Sequence, residues 1–351
     1  MADSSTLSTD DLEFQSKMLA GVSRTFALTI PRLPQALRNV VANAYLLCRT
    51  IDTIEDEPGL TPEKKQSLCN LFVEILEQDM SASLLSAELH PLLSQNTIPA
   101  ERELVARLDQ VIAITRSFDE PQQEALTRCV RIMSEGMIYF QYHASANGLK
   151  DVTELNKYCY HVAGVVGEML TDLFCYYSPE IHQNREQMRS LSVSFGQGLQ
   201  MTNILKDLWD DHRRGVCWLP RNMFEDRGLY LKDIHLLNGN DAFQQGLQTL
   251  IGIAFQHLQN ALKYTLLIPG HEKGIREFCL WALGMAVLTL KKIHRNLGFT
   301  DGSQVKISRN NVKATVAVTS VAVSQDRLLK FMFRLIGNGL ESSTNDHPTT
   351  A

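Results

Sequence analysis

The chain has little that would let it carry a positive field, cross a membrane or hold a structural metal. Its 34 Lys and Arg are outnumbered by 39 Asp and Glu, a formal net charge of -5, so no global potential draws nucleic acid, and none is expected as a partner. The seven cysteines, Cys48, Cys69, Cys129, Cys159, Cys175, Cys217 and Cys279, are odd in number and never spaced C-x-x-C. That pattern gives neither a zinc ribbon nor a disulfide framework, and a reducing cytoplasm is expected. The opening MADSSTLSTDD is polar and acidic, unlike a secretory leader. No apolar run reaches the roughly 20 residues of a spanning helix: ATVAVTSVAV covers ten, and LLKFMFRLIG carries Lys330 and Arg334. There is no Walker loop, no G-x-S-x-G and no H-E-x-x-H, and GQGLQM lacks the third glycine and the preceding strand of a dinucleotide fingerprint.

Proline is also sparse where it matters, leaving 122–178 and 180–219 free of it. In LRNVVANAYLLCRTIDTIED and VSFGQGLQMTNILKDLWDD apolar residues recur at helical spacing, and no alternating β-branched run with Asn-Gly turns occurs. VKATVAVTSVAV has strand-like composition but is expected to follow its helical neighbours. Breaks are expected at Pro31 and Pro34, at 58–62, about 80–100, near 119–121 and 147–153, at Pro179, 212–222, 236–241, Pro269 and 298–304. With 44% hydrophobic residues, no repeat and no Gly/Ser linker, the expectation is one all-α domain over about 11–340, with polar, disordered tails at 1–10 and 341–351.

Two helical stretches end in carboxylates. Asp52, Glu55 and Asp56 stand at i, i+3 and i+4, and Asp207, Asp210 and Asp211 repeat the spacing. Such residues share a face, with Cβ atoms about 5–6 Å apart, and like charges there cost a few tenths of a kcal/mol each. A lone acidic patch is more often a solvated face than a site. Here each face continues upstream in polar residues, Tyr45 and Arg49 before Asp52, Gln200 and Asn203 before Asp207, on helices otherwise rich in Leu, Ile and Val. Hard divalent ions take such oxygens and bridge them to substrate phosphates, so the two triads are read as Mg²⁺ ligands facing a diphosphate.

SRTFALTIPRLPQALRNVVANAYLLCRTIDTIED, NKYCYHVAGVVGEMLTDLF and LQMTNILKDLWDD resemble the squalene and phytoene synthase family of head-to-head prenyl transferases, over roughly residues 14–310. The resemblance implies an all-α isoprenoid synthase-type bundle around a central cavity, with the acidic motifs on opposite sides of its mouth. FCLWALGMAVLTLKKIHRNLGFTDGSQVKISRN, 278–310, is similar to the branch of the family that reduces its product. That implies two farnesyl diphosphates as substrate, presqualene diphosphate as intermediate and NADPH as reductant. It also implies cofactor-phosphate contacts at Lys17, Arg24, Arg49, Asn203, Lys206, Lys306 and Arg309.

Ionising an allylic diphosphate leaves a cation and a highly charged leaving group, so fixed charge is the main requirement. Arg24, Arg49, Lys206, Arg213 and Arg214 are the expected cations for phosphate oxygens, with Ser23, Gln200 and Asn203 as further polar contacts. Phe26, Phe195 and Phe278 are candidates for aromatic faces near the carbocation, although for any one of them simple core packing is the commoner role. Tyr160, with Tyr45 second, is the expected polar group where a proton is lost. His161 occupies the position where animal relatives place a Tyr, so the role rests on Tyr160 or on His161. Val216 and Ser308 stand where relatives often carry basic residues. Small residues in AGVVG, Gly164 and Gly167, are read as permitting close helix packing or room for a prenyl chain. A basic helix from about 325 to 337, with Arg327, Lys330 and Arg334, could lie on a membrane surface or pack on the domain. The alternatives kept open are a family member without the reductive step, yielding presqualene diphosphate, dehydrosqualene or phytoene, and a non-enzymatic prenyl-binding or assembly factor on the same fold.

Overall fold

The structure, a computed structural model, describes residues 8–23, 25–78 and 80–341. Arg24 and residues 1–7 and 342–351 lie outside the described residues; of the tail expected at 1–10, Ser8 is a helix cap and Thr9 and Asp10 are helical. Every regular element among the described residues is helical, and the lone β-bridge joins Leu149 and Pro220. The chain divides into two compact units, Met1–His143 with Val165–Arg185, and Ala144–Gly164 with Glu186–Ala351.

The first unit begins with α1 (Thr9–Val22), α2 (Phe26–Thr29), α3 (Gln35–Asp56), α4 (Pro62–Glu77), α5 (Ser83–Leu89), α6 (Pro99–Ala106), α7 (Leu108–Arg116) and α8 (Glu120–His143). The second contributes α9 (Val152–Cys159) and one wide π turn, Tyr160–Gly164; α10 (Val165–Tyr177) and α11 (Pro179–His182) belong again to the first. Then follow α12 (Arg185–Arg213), α13 (Asn222–Glu225), α14 (Asp241–Leu267), α15 (Lys273–Arg295), α16 (Arg309–Ala322) and α17 (Asp326–Gly337).

The helix starts have local causes. Ser8 caps α1 in a reciprocal box with Asp11, and Thr61, Asp151, Asn240 and Ser308 cap α4, α9, α14 and α16. Each accepts an N–H that the first helical turn leaves unpaired. VKATVAVTSVAV is helical, as α16. Two features carry no local signal. The expected break at 80–100 contains α5, and α6 parts from α7 at Arg107 without proline or glycine. Arg107 bends there with its guanidinium 4.5 Å from the Phe14 ring centre.

In the first unit α3 is the element the others pack on. It buries Val40, Ala44, Leu47, Ile51 and Ile54 against α1, α6, α7, α8 and α10, each of the Val, Leu and Ile side chains contributing about 1.5–3 kcal/mol of transfer free energy. Asn43, fully buried, donates to Val111 O at 3.2 Å and Thr115 Oγ1 at 2.7 Å and accepts from Gln15 Nε2 at 3.2 Å. This satisfied polar cluster fixes α1, α3 and α7 in register. In the second unit α14 packs on α15, and α15 carries α16 and α17. The chain after α12 is anchored by Leu149 N donating to Leu219 O at 2.9 Å and Cys217 N donating to Ser145 O at 3.0 Å. At Gly148, φ is +84° and a Cβ would sit 2.5 Å from Leu219 O, so glycine is required twice over.

Candidate active site

In the first unit α3 ends at the acidic triad because Glu57 leaves helical geometry just before Pro58. Glu57 is 2% exposed and accepts hydrogen bonds from Gly59 N at 3.2 Å, Ser94 N at 2.9 Å and Thr97 Oγ1 at 2.9 Å. Burial works to raise its carboxyl, and these donors outweigh it, holding the group below its usual range. The end of the acidic helix is thereby tied to the 94–97 loop. Lys65 Nζ donates to the Glu55 carbonyl, a cation at a helix C-terminus, and Gln141 Nε2 donates to the same oxygen at 3.0 Å.

One turn before Asp52, Arg49 donates to Glu101 of α6 through Nε at 2.9 Å and through Nη2, while Nη1 lies 3.5 Å from Asp52 Oδ2. Burial would lower the Arg49 charge, and Asp52 and Glu101 reverse that, keeping the guanidinium above its usual range. Burial pushes Asp52 up to about 7, Arg49 opposes, and Asp56 and Glu101 add to the rise. The Asp52 side chain keeps 31% of its surface open, so water screens part of this effect. A turn further back, the Tyr45 ring meets Phe26 with centroids 5.0 Å apart, and its hydroxyl donates to Val22 O at 3.4 Å. Burial raises this phenol, with Ser23 and Arg49 opposing. Ser23 Oγ accepts from Phe26 N at 3.0 Å, which fixes the start of α2. Lys17 stands apart from this group, 63% exposed and paired with Glu103 at 2.6 Å.

In the second unit the carboxylates of α12 each meet a basic neighbour within three positions along the chain. Lys206 lies 3.1 Å from Asp207 and donates to Asn203 Oδ1 at 3.3 Å, Arg213 pairs with Asp210, and Arg214 pairs with Asp211. Asp211 is the buried member, 6% exposed; burial raises its carboxyl, Arg214 opposes, and Asp207 and Asp210 add. Arg213 also reaches Asp301 at 3.4 Å, the cap of a 3-10 turn, Gly302–Val305. A Cβ on Gly302 would stand 3.0 Å from Lys206 O, 3.4 Å from Asp210 Oδ2 and 3.6 Å from Asp207 Oδ1, so this turn lies directly on the acidic face. Lys306 and Arg309 follow it, both exposed. Gln200 is half-buried. Tyr160 opens the π turn with its ring beside His161, centroids 5.2 Å apart. Gly196 of α12 meets this turn so closely that a Cβ would lie 2.2 Å from Ala163 O, and one on Gly164 would lie 3.1 Å from Val193 Cγ1. Phe195 stacks edge-on with Tyr264 at 5.6 Å, and Phe278 is 6% exposed, within the core.

Among the described residues no group of three or more His, Cys, Asp or Glu is gathered closely enough to hold a metal ion by itself. The donor chemistry nevertheless suits Mg²⁺, which keeps its waters and takes one or two carboxylates together with substrate phosphates. Burial raises the carboxyls of Asp52 and Asp211 against the opposing Arg49 and Arg214, and a bound cation would favour their charged forms. Sequence reasoning missed Glu101, Glu57, Lys65 and Asp301. None belongs to a motif, and each acts across a tertiary contact.

The model of the squalene/phytoene synthase family matches residues 19–311. The chain belongs to this family. Squalene synthase ERG9 of Gibberella zeae is 30% identical over 320 residues, 88% of this chain and 63% of that protein. The chain spans about three fifths of the length of the curated relatives it matches. The solved complex of TcSQS with the ligand BPH1237 superposes with TM-score 0.76 at 23% identity, covering 97% of this chain and 94% of that one. A dehydrosqualene synthase in complex with ligand gives TM-score 0.63 at 17% identity, covering 92% and 97%. Both likenesses establish the family's all-α fold.

Proposed function

We propose that the protein joins two farnesyl diphosphates head to head into presqualene diphosphate and reduces this with NADPH to squalene. One observation carries the reading: within the family match, two helices each present carboxylates at i, i+3 and i+4, each with its own arginine. Asp52, Glu55, Asp56, Asp207, Asp210 and Asp211 would hold Mg²⁺, which when bound supplies positive charge to the departing diphosphate. Arg49, Lys206, Arg213 and Arg214 offer N–H donors to phosphate oxygens, the arginines in forked contacts, and Arg24 would join them. Ser23, Gln200 and Asn203 add polar contacts. Phe26 against Tyr45 gives an aromatic pair that tolerates a nearby cation. Tyr160, with Tyr45 as the second candidate, would be the polar group beside the carbon that loses its proton at ring closure, its hydroxyl oriented by hydrogen bonding and remaining a neutral phenol.

For NADPH, the exposed cations Lys306 and Arg309 flank the N-terminus of α16, a combination suited to phosphate. Lys17 would have to leave Glu103 to contribute. One observation favours a second reading, in which the reductive step is absent: Ser308, where relatives often carry a base, is occupied as the α16 cap, accepting from Asn311 N at 3.2 Å. Incubating the purified protein with farnesyl diphosphate and Mg²⁺, with and without NADPH, tests both. Squalene formed only with NADPH supports the first reading, and an identical product in both tubes supports the second.

Among the described residues no helix is long and apolar enough to cross a membrane. Helix α17 exposes Phe331 at 62% and Leu335 at 64% beside Arg327, Lys330 and Arg334, and we propose that this face rests on an anionic membrane surface.

A further inference from the structure

Glu101 is a carboxylate that holds a guanidinium of the acidic helix α3 from another helix. It is the third residue of α6, after Pro99 at the first position, and its own N–H donates to Ile98 O at 3.0 Å. Three contacts fix α6. Gly21 of α1 lies against it so tightly that a Cβ would be 2.7 Å from Ala100 Cβ, Arg102 donates to Leu93 O at 3.0 Å, and Glu103 pairs with Lys17. The result is a carboxylate 7% exposed, aimed at Arg49 from a rigid support.

A buried Glu–Arg pair contributes little net stability, because desolvation offsets the attraction, and two apolar side chains would serve the fold as well. Its geometry does something else. Both the Nε and Nη2 donors of Arg49 go to Glu101 Oε1, so one edge of the planar fork is consumed and the Nη1 end is left 3.5 Å from Asp52 Oδ2. Nη1 thus makes only a long i,i+3 contact with Asp52, whereas a guanidinium without the hold of Glu101 has other rotamers on α3, including ones that turn the whole fork onto Asp52. We infer that Glu101 is a positioning residue for the diphosphate-binding end of α3: it holds the Nε and Nη2 edge of Arg49 so that the Nη1 end, in long contact with Asp52, stays on the Asp52 face where an incoming phosphate would meet it. This rests on the proposed function, since the phosphate is the ligand that reading supplies.

The test is calorimetric binding of inorganic pyrophosphate with Mg²⁺, alongside turnover and thermal unfolding, for E101Q, E101D, R49Q and the E101Q/R49Q double variant. E101Q keeps the shape of the side chain and should weaken pyrophosphate binding about tenfold and lower kcat, with E101D recovering part of both. The double variant should be no worse than R49Q alone, because the two residues act through one contact. Unchanged pyrophosphate binding in E101Q, or losses that simply add in the double variant, would overturn the assignment, as would a loss confined to thermal stability. Failure of the unaltered protein to bind magnesium pyrophosphate instead rejects the proposed function itself, and with it the phosphate role given to Arg49.

Discussion

Gly196 and Ala163, 33 positions apart, meet with no room for a side chain: a Cβ on Gly196 would lie 2.2 Å from the Ala163 carbonyl oxygen. The contact sits where α12 crosses the π turn that opens with Tyr160. A π turn leaves its backbone groups in non-standard register and recurs at functional positions. The close crossing supports it.

Gly196→Ala should therefore cost more than the usual point substitution, about 4 kcal/mol or more, because the nearest atoms are backbone and cannot rotate away. A urea unfolding midpoint measures it. A cost below about 1 kcal/mol would mean that the two segments part easily and that the crossing does not fix the turn.

Under the proposed function, Asp52→Asn and Asp207→Asn should each reduce turnover of farnesyl diphosphate by about a hundredfold or more, the scale seen when one electrostatic group is lost. Asp52→Asn should do so without loss of thermal stability in EDTA. Burial raises the Asp52 carboxyl above its unfolded value, so the charged form is a cost to the metal-free fold above that range, and the neutral isostere removes the cost. Parallel loss of stability and activity in Asp52→Asn would contradict this.

Acid should weaken the second unit through His257. Its Nδ1 meets Ser194 Oγ at 2.7 Å, and Asn260 Nδ2 donates to that same oxygen at 3.1 Å, leaving the hydroxyl proton for the ring. Burial lowers His257 from 6.5 to about 4. A folded-state value below the unfolded one means that stability is complete above about pH 6.5 and falls as the pH drops toward 4, by at most about 3 kcal/mol. Denaturant midpoints between pH 7.5 and 4.5 should decline, and His257→Gln should flatten that decline. Identical slopes would remove His257 as the cause.

Phe331→Glu with Leu335→Glu should lower co-sedimentation with vesicles containing anionic lipid, and should leave turnover of water-dispersed substrate intact. Both side chains are exposed, so the fold loses no core packing. Equal sedimentation of variant and parent would reject the membrane face.

Much of the fold was legible because helices are written locally. The i, i+3, i+4 period of α3 and α12 and the proline-free stretches each depend on residues within one or two turns. The same locality made the two acidic triads and their upstream Tyr45, Arg49, Gln200 and Asn203 readable, since a helix of any sequence places such residues on one face. The parting of α6 and α7 at Arg107 and the π turn at Tyr160 were not readable, because no local residue type demands them.

By itself, then, the sequence determined which elements are helical and which faces of α3 and α12 carry charge. Tertiary structure alone decided that Glu101 takes Arg49, that Asp301 shares Arg213 with Asp210, and that Gly302 lies on the Asp207 face. The physical reason is range: a helical face is set by 3.6 residues per turn, whereas these partners are 52, 88 and 95 positions apart in the chain and meet only when packed helices bring them together.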